Sequence, residues 1–321
     1  MTYAKITGLG SFLPERLLTN YDLEKIIDTT NEWIVERSGI KTRHIANPQD
    51  TVVSMAEKAA RQALQNASIT ADKLDLIIIA TCSSEYLFPS SACLLQKQLK
   101  ADNAFAFDIS AACSGFVYAL TVAEKFIQAG SAKHVLVVGS EAMSRVINWE
   151  DRTTCVLFGD GAGAVILSAS SIPGIIASKL YSDGTQAEIL YLPSGIKASA
   201  QIEAETMFIK MQGKEVFRLA VERLASAVLE ILHQANMTLV DIDWIVPHQA
   251  NSRIISMIIN RLKISESKVI VTVDKHANTS SASIPLALHE AVKCGKIKPG
   301  QTLLFEAFGG GLTWGSVLLK F

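Results

Sequence analysis

Short apolar runs rich in valine and isoleucine alternate along this chain with longer stretches whose apolar positions recur at helical spacing. Apolar runs of about four to eight residues bounded by turn formers read as buried strands, and the 3.6-residue period reads as helices packed on them. The pattern predicts strands at 76–80, 135–139, 164–168, 244–247, 269–273 and 303–307. It predicts helices near 51–66, 114–129, 215–234, 252–261 and 283–294. Such alternation belongs to an α/β protein with helices layered around sheets.

The pattern also repeats. LDLIIIATCSS from Leu74 resembles IDWIVPHQANS from Ile242, each an acid-flanked apolar strand running into a polar turn. FGDGAGAVILS from Phe158 resembles FGGGLTWGSVLL from Phe308, each a glycine-rich turn followed by an apolar strand. Between them, EKFIQAGSAKHVLVVG and HEAVKCGKIKPGQTLLFE end helices in glycine turns whose Gly130 and Gly295 lie 165 positions apart (295 − 130). Three segments in the same order imply a duplicated unit, with halves at 1–172 and 173–321. The same offset carries Cys113 onto Asn278 (113 + 165), so two equivalent helix starts are expected to meet across a pseudo-two-fold axis.

Cys113 lies in DISAACSGFVYALTVAEKFIQAG, just ahead of a helix apolar on more than one face and therefore buried. Unpaired amides and the positive end of the helix dipole favour thiolate there, lowering a thiol pKa of about 8.5 into a range of about 3.5–7.5. The plain alternative is a small core residue. Cys82 follows a strand, but nothing near it in sequence would activate it. His248 in PHQAN and Asn278 in HANTS each sit on a polar turn past an apolar strand and before a helix, where α/β sheets present functional groups. An imidazole and a carboxamide in a dry pocket can donate to a carbonyl oxygen that becomes an enolate. Asn278 read alone is equally a turn or cap residue, and His276, two positions away, remains a competing candidate. The glycine run at 309–311 lets backbone approach a ligand, so the Gly310 and Cys113 amides form a candidate oxyanion hole; a tight hairpin is the plain alternative.

Composition narrows the function. Charged residues make up 19% of 321 and nearly cancel to −1, so no global field exists to hold nucleic acid or an anionic membrane. The start lacks a signal-peptide layout and the longest apolar runs are strand-sized, which predicts a cytoplasmic protein. Five scattered cysteines without CxxC or Cys/His metal spacing predict neither disulfides nor structural zinc.

SAACSGF, PHQAN, HANTS and FGGGLTWGS, in this order and at these separations, resemble the motifs of beta-ketoacyl-acyl carrier protein synthase III, and the resemblance covers essentially the whole chain. It implies a thiolase-like fold of duplicated α/β halves in αβαβα layers. It also implies an acyltransferase that starts type II fatty acid biosynthesis. Cys113 takes the acyl group of acetyl-CoA or a similar starter; His248 and Asn278 hold the thioester oxygen of malonyl-acyl carrier protein while carbon dioxide leaves; the carbanion then attacks the acyl-cysteine. By the same resemblance, Thr29, Trp33, Arg37 and Arg152 meet the adenine and phosphates of CoA, Gly213 and Asn251 line the pantetheine tunnel, and Phe88 reaches across a homodimer to close the acyl pocket. No metal or redox cofactor is implied. Arg253, Lys214, Arg218 and Arg261 are candidate docking residues for the acidic carrier protein. A condensing enzyme of specialised metabolism and an idle CoA-binding relative are the alternatives. A thiolase would carry a cysteine in FGGGLTWGS, and an elongating synthase a histidine at Asn278. Ala277, Thr153 and Asn260 depart from the expected glycine, glycine and basic residue.

Overall fold

The computed structural model describes residues 2–193 and 207–321. Its first sheet contains β1 (Tyr3–Phe12), β2 (Leu76–Ala80), β3 (Phe105–Ile109), β4 (His134–Ala142) and β5 (Asp160–Ser170), in the order β1-β5-β4-β2-β3. The second contains β6 (Ile175–Ser182), β7 (Trp244–Pro247), β8 (Thr302–Gly309) and β9 (Thr313–Lys320), in the order β6-β9-β8-β7. Each sheet joins its parallel part to two antiparallel strands in the same succession. The helices used below are α1 (Asn31–Ser38), α2 (Val52–Ala67), α3 (Ser91–Leu99), α4 (Gly115–Gln128), α5 (Gly213–Gln234), α6 (Ser252–Leu262) and α7 (Ser283–Lys293).

Burial explains the layering. β2, LIIIA, is buried at every position, as a parallel strand covered on both faces must be. Phe116, Val117 and Leu120 of α4 and Ile284 and Leu288 of α7 pack in one core with residues of both sheets, so these two helices form the middle layer. α2 and α3 cover the outer face of the first sheet, and α5 and α6 that of the second, completing five layers.

Five of the six expected strands are present, two with the bounds read and three longer by a few residues. The exception is 269–273. Val269 makes one bridge to Ile245, and the chain then turns into a short helix, Val273–His276. The buried Gln249 side chain is the reason: its Oε1 accepts from the Thr272 and Val273 amides at 2.8 and 3.1 Å, and its Nε2 donates to the Pro247 and Ile270 carbonyls. A side-chain amide takes the hydrogen bonds a fifth strand would use. The pattern also does not predict β1, β3 or β6.

The duplication has a finer register than the glycine turns imply. Gly130 and Gly295 are both left-handed, at φ 74° and 76°, and end equivalent helices. The starts, however, are offset by 168: α4 against α7 (283 − 115), β2 against β7 (244 − 76) and β4 against β8 (302 − 134). α7 is three residues shorter than α4 (14 − 11), about one turn, and the loop after Gly295 restores the difference. The structural counterpart of Cys113 is therefore Ser281, and Asn278 lies three residues before it.

The short turns Ala112–Ser114 and Ser280–Ala282 precede α4 and α7 and meet where the halves join. Gly139 permits this contact, since a methyl there would sit 2.4 Å from the Ser281 carbonyl oxygen, a backbone atom with no freedom to withdraw. Gly139→Ala is expected to lower unfolding free energy by about 1–3 kcal/mol in denaturant titration; an unchanged midpoint would contradict the tight contact.

Candidate active site

Cys113 is buried in its turn, with Ala112 before it at φ 45°. The hairpin joining β8 to β9 is clamped over that turn: Ser114 Oγ donates to the Thr313 carbonyl at 2.8 Å and Thr313 Oγ1 to the Ala111 carbonyl at 3.0 Å. Gly309 is required by this approach, because a Cβ there would stand 2.7 Å from the Cys113 nitrogen. Among the described residues neither the Cys113 nor the Gly310 N–H has an acceptor, so both are available to an oxyanion.

His248 follows β7, its N–H donating to the Glu306 carbonyl at 2.8 Å. Nδ1 lies 2.6 Å from Ser283 Oγ, while Nε2 has no protein partner among the described residues. Burial pushes the imidazole down to about 3, so it is neutral at physiological pH. Asn278 is fixed by the other half: its N–H donates to Leu157, and its carbonyl accepts from Gly159, at 2.9 and 3.1 Å. Its Oδ1 accepts from the Ser280 amide at 2.8 Å, which leaves Nδ2 as the outward donor. Ala277, at φ 57° and ψ −160°, turns the chain so that His276 points away and pairs with Glu290 at 3.1 Å. That separates the two residues that periodicity left equal.

Cys113, His248, Asn278 and Gly310 line one cavity of about 1300 Å³. It runs inward from the exposed Arg37, Lys214 and Arg253 and also touches Trp33, Gly213 and Asn251. The Arg152 guanidinium lies 5.3 Å from the centre of the Trp33 ring, and that of Arg37 5.9 Å from it. Thr29 Oγ1 is buried without a partner among the described residues. Asn251 caps α6 by accepting from the Arg253 amide and donates to the Arg37 carbonyl at 3.0 Å. Arg253 lies over Phe217, whereas Arg218 is held by Glu215 and Glu222 on its own helix. Neither Arg218 nor Arg261 lines the cavity, nor does Phe88, which is 85% exposed.

Sequence reading missed Glu141. This carboxyl, fully buried at the end of β4, accepts from Ser83 Oγ at 2.6 Å and the Cys82 amide at 3.1 Å through Oε2. Its Oε1 lies 2.7 Å from Ser281 Oγ, which is also 2.8 Å from the Ala80 carbonyl. Burial raises this carboxyl above its usual range, opposed by its hydrogen bonds from Ser83, Ser281 and the Cys82 amide. Cys82, at the end of its strand, lines the cavity as its position allows, and its thiol is pushed well up by burial and by Glu141, in keeping with an unactivated cysteine.

The expected lowering of the Cys113 pKa is overturned. Burial pushes this thiol up to about 12; contact with Ser280 opposes the shift and Glu141 adds to it. Desolvation outweighs the helix start because the turn lies wholly inside the protein. Among the described residues, no group of three or more His, Cys, Asp or Glu side chains is placed to hold a metal, and no helix is long and apolar enough to cross a membrane.

Two sheets of matching topology around a shared helical layer, with one cavity at their junction, define a thiolase-fold condensing enzyme. Residues 107–184 match the family described as 3-Oxoacyl-[acyl-carrier-protein (ACP)] synthase III, and residues 232–321 its C-terminal counterpart. The chain is 53% identical to the beta-ketoacyl-[acyl-carrier-protein] synthase III of Thioalkalivibrio sulfidiphilus over 100% of both chains, and 52% identical to that of Methylococcus capsulatus over 99% of both. The crystal structure of the synthase III of Aquifex aeolicus superposes with a TM-score of 0.94 at 48% identity, covering 99% of this chain and 100% of that one. The chain belongs to the beta-ketoacyl-[acyl-carrier-protein] synthase III family of acyltransferases.

With the thiol at about 12, iodoacetamide labelling of Cys113, followed by peptide mass spectrometry, is expected to rise about ten-fold per pH unit from pH 7 upward without levelling. A plateau reached below pH 8 would show a preformed thiolate instead.

Proposed function

We propose that this enzyme performs the initiating condensation of type II fatty acid biosynthesis, joining an acetyl-CoA-like starter to malonyl-acyl carrier protein through an acyl group on Cys113. The observation that carries this reading is the single cavity in which a thiol from one half faces two uncommitted donors, His248 Nε2 and Asn278 Nδ2, from the other.

In the first step the Cys113 sulfur attacks the starter thioester carbonyl, the carbon–sulfur bond to CoA breaks, and the thiol proton leaves with CoA as its free thiol. The Cys113 and Gly310 amides donate to the tetrahedral oxyanion. In the second step His248 and Asn278 donate to the malonyl thioester oxygen. The carbon–carboxylate bond breaks, carbon dioxide departs, and its electron pair passes through the enolate to the acyl carbon. The Cys113 sulfur leaves and is reprotonated by one proton from solvent, which its raised pKa favours. Both steps balance without a resident cofactor.

The rest of the cavity supports CoA as first substrate. Trp33 offers a face for the adenine, with the Arg152 and Arg37 guanidinium groups 5.3 and 5.9 Å from its ring; Gly213 and Asn251 leave a passage for the pantetheine arm, and Thr29 is a further candidate contact outside the cavity lining. Arg253 and Lys214, exposed at the same opening, suit docking of an acidic carrier protein, with Arg261 and the ion-paired Arg218 farther out. Residues 1–172 and 173–321 act as the two repeats. A cytoplasmic homodimer fits the open edge of β3, where Phe105 is 44% exposed and the 86–88 turn presents Tyr86, Leu87 and Phe88 to a second copy.

Incubation with acetyl-CoA should add one acetyl group to Cys113, and Cys113→Ala should abolish that label while malonyl decarboxylation persists. His248→Ala or Asn278→Ala should acylate normally but lose about 10²–10³-fold in condensation. Acyl label on another cysteine, or full turnover in either donor variant, would refute the assignment.

A further inference from the structure

The geometry points to Ser283 as a positioning residue that fixes the His248 tautomer, placing the ring proton on Nε2 where the substrate oxygen needs it. This rests on the condensation reading above but concerns a residue that does not touch substrate.

Ser283 opens α7, is 2% exposed, and brings its Oγ to 2.6 Å from His248 Nδ1. The other described group in reach of that oxygen is the Gln249 N–H, at 3.4 Å, which only donates. The serine proton therefore has one acceptor, Nδ1. A proton on Nδ1 would leave Ser283 Oγ facing two donors, with its own O–H buried and unpartnered, an arrangement native interiors avoid. The hydrogen bond made by one ring nitrogen decides the state of the other.

Ser283 is held independently of His248. Ala282 bonds to the Thr279 carbonyl, and Ser281 is tied to Ala80 and Glu141. Its hydroxyl is therefore aimed before substrate arrives. It also joins the turn that bears Asn278 to the one that bears His248, so both donors share a fixed frame.

Nitrogen NMR on protein carrying isotopically labelled histidine, with His248 assigned by the signal lost in His248→Gln, is expected to show Nε2 protonated and Nδ1 bare in the wild type. Ser283→Ala should weaken that preference and lower the condensation kcat about ten-fold, less than loss of the donor itself, while acetyl transfer to Cys113 and the KM for acetyl-CoA stay unchanged. Ser283→Thr, which keeps the hydroxyl, should restore both tautomer and turnover. A wild-type signal from protonated Nδ1 would overturn the inference, and needs no variant to fold. So would a Ser283→Ala enzyme with unaltered tautomer and rate, or one that loses acylation and condensation together. If the condensation reading alone were wrong, the wild type would show no condensed product while the tautomer remained as stated.

Discussion

The contact between the two turns that start the central helices is the constraint on which the site depends. Ser281 reaches from the second half to the Ala80 carbonyl and the Glu141 carboxyl of the first, and Gly139 lets the backbones close to that distance. Moving these turns apart would separate Cys113 from both donors, because Asn278 and Ser283 lie on either side of Ser281 in sequence. Catalytic geometry here is a property of the joint between halves, not of either alone.

The joint carries strain and little charge. Ala112, Ala277 and Ser280 all take positive φ, at 45°, 57° and 49°, at a cost of about 1–3 kcal/mol each. They flank Cys113 and Asn278, where a regular backbone would turn the side chains elsewhere. Meanwhile burial keeps His248 neutral and Cys113 as thiol, and raises the Glu141 carboxyl above its usual range. With Arg37, Lys214 and Arg253 at the mouth of the cavity, the buried hydrogen-bond donors at its inner end have most effect on the one charge that matters there, the oxyanion formed during reaction.

Much of this was written in the sequence. Strand-then-turn patterning placed His248 and the buried helix placed Cys113, whereas Asn278 follows a short helix, Val273–His276, where a strand was read. What was not legible depends on single side chains acting over distance. Gln249 replaces the strand expected at 269–273 with its own amide, and Ala277 turns His276 away by a backbone angle that no periodicity encodes. The thiol pKa was misread because a helix start is visible in sequence and the depth of its burial is not. The repeat offset was half read. The pair at Leu74 and Ile242 already differ by 168 (242 − 74), the register of the strands and helix starts, whereas the glycine turns report only the helix ends.

That register explains why a duplicated chain has one site and not two. With an offset of 168, Cys113 corresponds to Ser281, Ala80 to His248 and Glu141 to Gly309 (141 + 168). The strand pairing agrees: Glu141 opposes Gly161 and Gly309 opposes Thr313 at equivalent places in their sheets. At one end of the pseudo-axis, glycine leaves the turn before the helix open, so the Cys113 amide and sulfur face the cavity. At the other, a glutamate fills the same place and binds the counterpart hydroxyl to the first sheet. The two ends occupy equivalent places in their halves, one left bare for chemistry and the other closed to hold it in position.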